Sequence, residues 1–141
     1  MATTTATLTL SSGDLTGDAL SLSTTTQLTK AGTATGLDQT TGVARKFYAS
    51  AQTAAKLIDK TLYDDWSAGS PVSHKVYIKN LSTTAAQYVT VQLNDGTNVI
   101  ELGHLYAGDF LFIPYDGKSD IEIDTSAVNM TVEYFVAYQD A

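Results

Sequence analysis

Between Val76 and Tyr138, apolar and polar residues alternate in short runs. Successive side chains of a β-strand point to opposite faces, so this alternation is typical of antiparallel strands with one solvated face. Turn-forming clusters separate the runs, and Asp95-Gly96 and Asp116-Gly117 lie in two of them. The runs follow one another too closely for helical crossovers. The pattern therefore predicts an all-β fold, an antiparallel β-sandwich or jelly-roll-like body.

The apolar residues of these runs share a spacing of two and form one face of each predicted strand. They are Val76, Ile78, Val89, Val91, Leu93, Ile100, Leu102, Ile121, Ile123, Met130, Val132, Tyr134, Val136 and Tyr138.

Two segments before Pro71 also show a pattern. Segment 42–51, GVARKFYASA, fits a strand that places Val43 and Phe47 on one face and Lys46 and Tyr48 on the other. Segment 51–66, AQTAAKLIDKTLYDDW, is the single helix candidate, because its apolar residues have helical spacing. Those residues are Ala54, Leu57, Ile58 and Leu62.

The first 41 residues differ in composition from the rest. They contain fourteen of the twenty-two threonines, no aromatic residue and only Lys30 as a positive charge. The branched Cβ of threonine favours extended backbone, so this segment predicts alternating strands that carry few large side chains. We expect residues 1–41 to form an extended arm or edge hairpin that is completed by the body or by another subunit, with residues 42–141 as the body. The alternative is a flexible tail.

One predicted strand breaks the alternation. Segment 109–115, DFLFIPY, places Phe110 and Phe112 on one face and Leu111 and Ile113 on the other. This is typical of a central strand in a two-layer domain or of a strand crossed by the N-terminal arm. The alternative is a subunit interface, where aromatic side chains carry much of the contact energy. The residues predicted at an interface are Leu8, Leu10, Leu20, Leu22, Trp66, Tyr106, Phe110, Phe112 and Tyr115.

Composition argues against several functions. The 141 residues fit a single domain, and their formal charge is −7, with no run of lysine or arginine to neutralise phosphates, so we expect no nucleic-acid partner. The chain has no cysteine, which excludes thiol catalysis and thiolate metal sites. No apolar segment is long enough to span a membrane, and the first residues lack the features of a secretory signal.

No constellation of catalytic residues stands out. His74 and His104 have no local partner pattern and are expected at the surface or rim. The spacing of Asp116, Asp120, Glu122 and Asp124 does not fit a calcium-binding loop, which leaves solvated charges as the expectation. Asp64-Asp65 beside Trp66 allows a carbohydrate-binding or hydrolase alternative. We therefore predict no catalytic residue, no metal and no cofactor.

Five segments carry a family resemblance: KVYIKNLS at 75–82, YVTVQL at 88–93, LGHLYAGDFLFIPYDG at 102–117, DIEI at 120–123 and MTVEYFVAY at 130–138. Together with the Thr/Ser-rich start, the chain resembles small virion structural proteins of tailed phages, including those of marine and cyanobacterial hosts. The resemblance implies a capsid decoration or cement protein, made in the host cytoplasm and placed on the capsid surface. Tail, neck or fibre components, some of which bind host glycans, are the alternative.

The resemblance also implies partners. Proteins of this kind bind the major capsid protein or other virion proteins, and they are commonly β-sandwiches that form homo-oligomers, with a trimer favoured. The family offers no catalytic residue to transfer to this chain.

Overall fold

A computed structural model describes residues 3–14, 17–63 and 71–139. These residues form strands and one short 3₁₀ turn, Lys60–Leu62, so the predicted all-β fold is confirmed. The strands are β1 (Thr5–Ser12), β2 (Leu20–Gln27), β3 (Gln39–Thr40), β4 (Ala44–Tyr48), β5 (Ala55–Ile58), β6 (His74–Asn80), β7 (Tyr88–Asn94), β8 (Val99–Tyr106), β9 (Phe110–Tyr115), β10 (Asp120–Thr125) and β11 (Met130–Tyr138).

The strands from β4 to β11 form two antiparallel sheets. Sheet I has the order β4-β11-β6-β9, and β3 pairs with β11 beyond the end of β4. Sheet II has the order β5-β10-β7-β8. From β4 to β11, every connection except the one between β7 and β8 crosses from one sheet to the other, which is the jelly-roll arrangement. β1 and β2 form a separate hairpin.

The core lies between the two sheets. Sheet I contributes Val76 and Ile78, and sheet II contributes Val91, Ile121 and Ile123, all of them 0–1 % exposed. Burying a side chain of this size contributes about 1.5–3 kcal/mol relative to leaving it in water. The spacing of two in the sequence therefore corresponds to the apolar contact that holds the sheets together.

The predicted helix over segment 51–66 is wrong. Ala54 has a positive φ of 48°, and its N–H donates to the Asp124 carboxylate at 2.6 Å, so a helix cannot continue through it. The next residues form β5, at the edge of sheet II, where a register shift beside Ile121 lets the consecutive Leu57 and Ile58 both be buried. Residues 64–66 lie outside the described residues.

Two other expectations differ from the structure at the sheet edges. Of the positions that the sequence allows for segment 109–115, a central strand is wrong, because β9 is the edge strand of sheet I, a position that tolerates Pro114. β8 is the edge strand of sheet II, and its register against β7 shifts after Val91. Ile100 and Leu102 in its first half are exposed, although the sequence pattern predicts both on an apolar face.

The expected surface position of His74 is also wrong. The alternation that turns Val76 and Ile78 inward continues to both ends of β6 and buries His74 and Asn80 completely. The His74 ring lies with Nε2 3.1 Å from the Tyr63 carbonyl oxygen, and its Nδ1 accepts the Gln139 N–H at 3.3 Å. A buried polar side chain of this kind is tolerated because it is hydrogen-bonded.

Asn80 joins the two sheets at one end of the body. Its side-chain amide donates to the carbonyl oxygens of Gln87 at 3.2 Å and Leu105 at 3.0 Å, and its Oδ1 accepts the Ser82 N–H at 2.9 Å. Its backbone N–H donates to Asp109 and its carbonyl accepts from Gly108, both at 3.0 Å. One side chain therefore fixes the start of β7, the end of β8 and the loop after β6.

Replacing Asn80 should destabilise the whole body. Asn80→Ala leaves one N–H and two carbonyl groups without their partner in a buried site, so we expect a loss of about 2–4 kcal/mol in the free energy of unfolding. Asn98→Ala is the matched control, because Asn98 is exposed and its side chain makes a single 3.3 Å bond to Asp95. Urea unfolding of both variants measures the difference, and equal losses would contradict this role.

An ion pair joins β5 to β10. The Lys56 ammonium lies 2.9 Å from one oxygen of Asp120, and the Lys60 N–H donates to the other at 2.9 Å. Desolvation opposes ionisation of Asp120, but these two contacts outweigh it and lower the pKa of Asp120 from its usual 3.8. A lowered pKa stabilises the fold at pH values above 3.8, and this stabilisation is lost as the pH falls through the lowered value.

Asp120→Asn should therefore lower the free energy of unfolding at neutral pH and reduce its fall below pH 4. Asparagine still accepts the Lys60 N–H, so the variant tests the charge alone. Lys56→Met is the control from the other partner, and the double variant should lose no more than the larger single loss. Urea titrations from pH 2 to pH 7 check this, and additive losses would show that the pair does not act as a unit.

Candidate interaction surface

The β1–β2 hairpin has two chemically different faces. Cross-strand partners share a face, and the register pairs Leu8 with Thr24, Leu10 with Leu22 and Ser12 with Leu20. This leucine face carries its four leucines 39–43 % exposed. The opposite face consists of threonine, serine and one glutamine, with Thr7 and Thr25 joined at 3.0 Å through their hydroxyl oxygens. The hairpin is therefore amphipathic across its thickness.

Only the base of the hairpin is held by the body. The Leu28 N–H donates to the Thr4 carbonyl at 2.8 Å and closes the hairpin. Leu28 and Leu37 are buried with Ala137 of β11, and Ala6 and Phe135 pack against them. Part of the predicted arm, from Leu28 to Thr40, thus belongs to the body, whereas β1 and β2 pair only with each other among the described strands.

An aromatic row crosses the outer face of sheet I beneath the hairpin. Tyr77 lies opposite Phe135 on one side and Phe112 on the other. The Tyr77 ring stacks on that of Phe135 with centroids 5.2 Å apart, and Phe110 lies 6.3 Å from Tyr77. Phe110 is 54 % and Phe112 39 % exposed, because nothing in the described chain covers the edge of β9.

A groove separates the leucine face from this row. It has a volume of about 550 Å³, and both walls are predominantly apolar. The hairpin wall includes Ala6, Leu8, Thr24 and Leu28, and the sheet wall consists of Tyr77, Phe110, Phe112 and Phe135. Beyond Leu8 the leucine face continues as Leu10, Leu20 and Leu22, which lie outside the groove.

Charged residues beside the aromatic row are mostly basic. Arg45, Lys79 and Glu133 form one row across the outer face of sheet I, and Lys75 lies in another. The Arg45 guanidinium donates to Glu133 at 2.9 Å and, with the Tyr77 hydroxyl, lowers the pKa of Glu133 against the effect of desolvation. The outward positions of the described strands of sheet I therefore carry three positive charges and one negative charge, in a chain whose formal charge is −7.

A smaller aromatic cluster lies on the outer face of sheet II. The rings of Tyr88 and His104 are 4.5 Å apart, and those of Tyr88 and Tyr106 are 5.4 Å apart. His104 is exposed, as expected, and its Nδ1 lies 2.9 Å from the Thr90 hydroxyl. Tyr106 belongs to this cluster and not to the groove, so the predicted interface residues lie on two separate faces.

The other predicted interface residues differ in exposure. Leu8, Phe110 and Phe112 are exposed and line the groove, and Leu10, Leu20 and Leu22 are exposed on the same leucine face outside it. Tyr115 is 6 % exposed and belongs to the core, where its hydroxyl donates to the Ser119 carbonyl at 2.7 Å and burial raises its pKa. Its side chain is therefore not available to a partner. Trp66 lies outside the described residues.

Phe135 and Tyr77 complete the groove but were not predicted in it. The signal was present, because both occupy the outward positions of strands whose inward positions are occupied by apolar residues. Fixed alternation places any residue between two core positions on the outer face.

Within residues 3–14, 17–63 and 71–139, no three histidine, aspartate or glutamate side chains lie close enough to hold a metal ion. In the same ranges, no helix has the length and apolarity needed to cross a lipid bilayer.

No protein-family model, curated protein sequence or solved structure matches this chain. The functional conclusion therefore depends on the geometry of the groove and on the resemblance of the sequence segments.

Two aromatic residues of the same strand should respond differently to truncation. Tyr115→Ala empties a core site and should lower the free energy of unfolding by about 3–5 kcal/mol. Phe110→Ala removes a side chain that is already half in water, so we expect a loss below about 1 kcal/mol and weaker binding of an apolar fluorescent dye. Urea unfolding and dye fluorescence measure the two effects, and similar stability losses would contradict the assignment of Phe110 to the surface.

Proposed function

We propose that this chain is a non-enzymatic structural protein of a tailed-phage virion, which binds the outside of the assembled head as an oligomer and stabilises the shell. The observation that carries the proposal is the leucine face, an apolar surface on a projecting hairpin that the described part of the body covers only at its base. Such a surface is suited to contact with a neighbouring subunit, since large exposed apolar patches mark interaction sites.

Two further properties support this role. The jelly-roll body is a rigid support, because its two sheets bury an apolar core without any disulfide. The acidic net charge favours solubility before assembly. The partners under this proposal are the major capsid protein or other virion proteins and further copies of the chain, with a trimer as the favoured oligomer.

A place in the tail, neck or fibre is the alternative within the same class. Its glycan-binding version depends on Trp66, Asp64 and Asp65, which lie outside the described residues. Imaging of virions separates the two places, because a decoration protein follows the icosahedral lattice of the head and a tail component does not.

Mixing the purified protein with undecorated heads tests the proposal. We expect saturable binding at a stoichiometry set by the lattice, together with a higher temperature of head disruption. Leu10→Ser combined with Leu22→Ser should weaken binding, because it removes two central leucines of the apolar face. Thr9→Ala combined with Ser23→Ala changes the opposite face of the same strands and is the matched control. Absence of stoichiometric binding, with no gain in head stability, would refute the decoration role.

A further inference from the structure

We propose that the occupant of the groove is a second copy of this chain, whose leucine face packs against Phe110 and Phe112 while its own groove receives the first copy in return. This inference rests on the proposed function and names the partner of the same surface. It places the contact between copies at the hairpin, as a two-fold dimer in place of the favoured trimer. The head then binds two linked copies, so loss of this contact weakens head binding.

The leucine face and the aromatic groove of one chain are complementary to each other. A two-fold contact uses the same patch on both subunits, so that patch must contain both members of each contacting pair. Here one chain offers projecting leucines and, beside them, an aromatic groove of about 550 Å³. The base of the hairpin already packs Ala6 and Leu28 near Phe135, which shows that this face of the hairpin fits this face of sheet I.

The hairpin and the outer face of sheet I carry opposite net charges. The only charged residues among the first 29 are Asp14 and Asp18, both near the hairpin turn. Among the described strands, the outward positions of sheet I carry Arg45, Lys75 and Lys79 against Glu133. Lys30 and Asp38 beside them form an ion pair of zero net charge. A hairpin of charge −2 thus meets a face of charge +2, whereas two whole chains of charge −7 repel each other. Attraction between copies is therefore directed to this contact.

The exposed area of the patch is close to what a stable interface buries. Four leucines and two phenylalanines, each roughly half exposed, leave on the order of 500 Å² of apolar side chain in water. With the adjoining threonines and serines, the patch approaches the ~800 Å² that each partner buries in a standard interface. A two-stranded hairpin has marginal stability in water when its apolar face is uncovered. Contact with a second copy would cover the apolar face and stabilise the hairpin before the chain meets any other virion protein.

The absence of cysteine allows a direct test. One preparation carries Leu10→Cys, Leu20→Cys or Leu22→Cys, and a second, distinguished by a size tag, carries Phe110→Cys or Phe112→Cys. Each chain then has one thiol, so a disulfide can form only between chains, and it requires Cα atoms within about 7 Å. We expect mixed, mildly oxidised preparations to give tagged–untagged dimers.

Controls and outcomes are matched to this geometry. Ser21→Cys and Ser23→Cys place the thiol on the opposite face of β2 and should give few dimers with the same partners. If no leucine-face position exceeds these controls, the proposal is overturned. In light scattering, Leu10→Ser with Leu22→Ser should raise the dissociation constant about 100-fold or more, and Thr9→Ala with Ser23→Ala should not.

The two proposals can fail separately. A chain that stays single in solution, gives no dimers and still binds heads stoichiometrically refutes the reciprocal contact and leaves the decoration role in place. A chain that forms the disulfide dimers but does not bind heads supports the reciprocal contact and contradicts the decoration role.

Discussion

The contact between the inward faces of sheets I and II determines the rest of the structure. Once Val76, Ile78, Ile121 and Ile123 face the core, strict alternation decides where every neighbouring side chain points. The aromatic row on sheet I and the polar networks at the ends of β6 are both consequences. Non-directional apolar burial supplies most of the stability, whereas hydrogen bonds such as those of Asn80 select one alignment of the strands over others. The packing of the core thus determines which side chains lie on the surface.

The stability of the hairpin has a different origin from that of the body. It has backbone hydrogen bonds between β1 and β2 and a few hydroxyl contacts on its threonine face, but no core of its own. Each ordered residue loses about 1–2 kcal/mol of backbone conformational entropy, which a ribbon without a covering layer barely offsets. Its base is stabilised by Leu28, Leu37 and Phe135, while its far half gains little from the body. The protein therefore combines a self-sufficient domain with a segment whose stability depends on what lies against it.

The sequence was informative where periodicity was long and regular. Alternation predicted the all-β class and the inward residues of β6, β7, β10 and β11. The threonine-rich bias indicated extended strands in an arm or edge hairpin. It failed at segment 51–66, where a short apolar run fits both helical spacing and an edge strand with a register shift. It also could not rank β9 as an edge strand, nor separate Tyr115 from Phe110 and Phe112. Those distinctions depend on which strands pair across the chain, a non-local property that composition and spacing do not contain.

The paired leucines of the hairpin also limit how its length can change. Eight strand residues span roughly 25 Å. The length of the hairpin therefore determines how far from the body its leucine face can contact a neighbouring subunit. Removing one residue from each strand near the base would turn threonines toward the groove and leucines toward water, because parity decides the face. Removing two from each would restore the apolar side and shorten the reach by about 7 Å. Related chains that hold neighbours at other distances should therefore differ in this ribbon by even numbers of residues per strand.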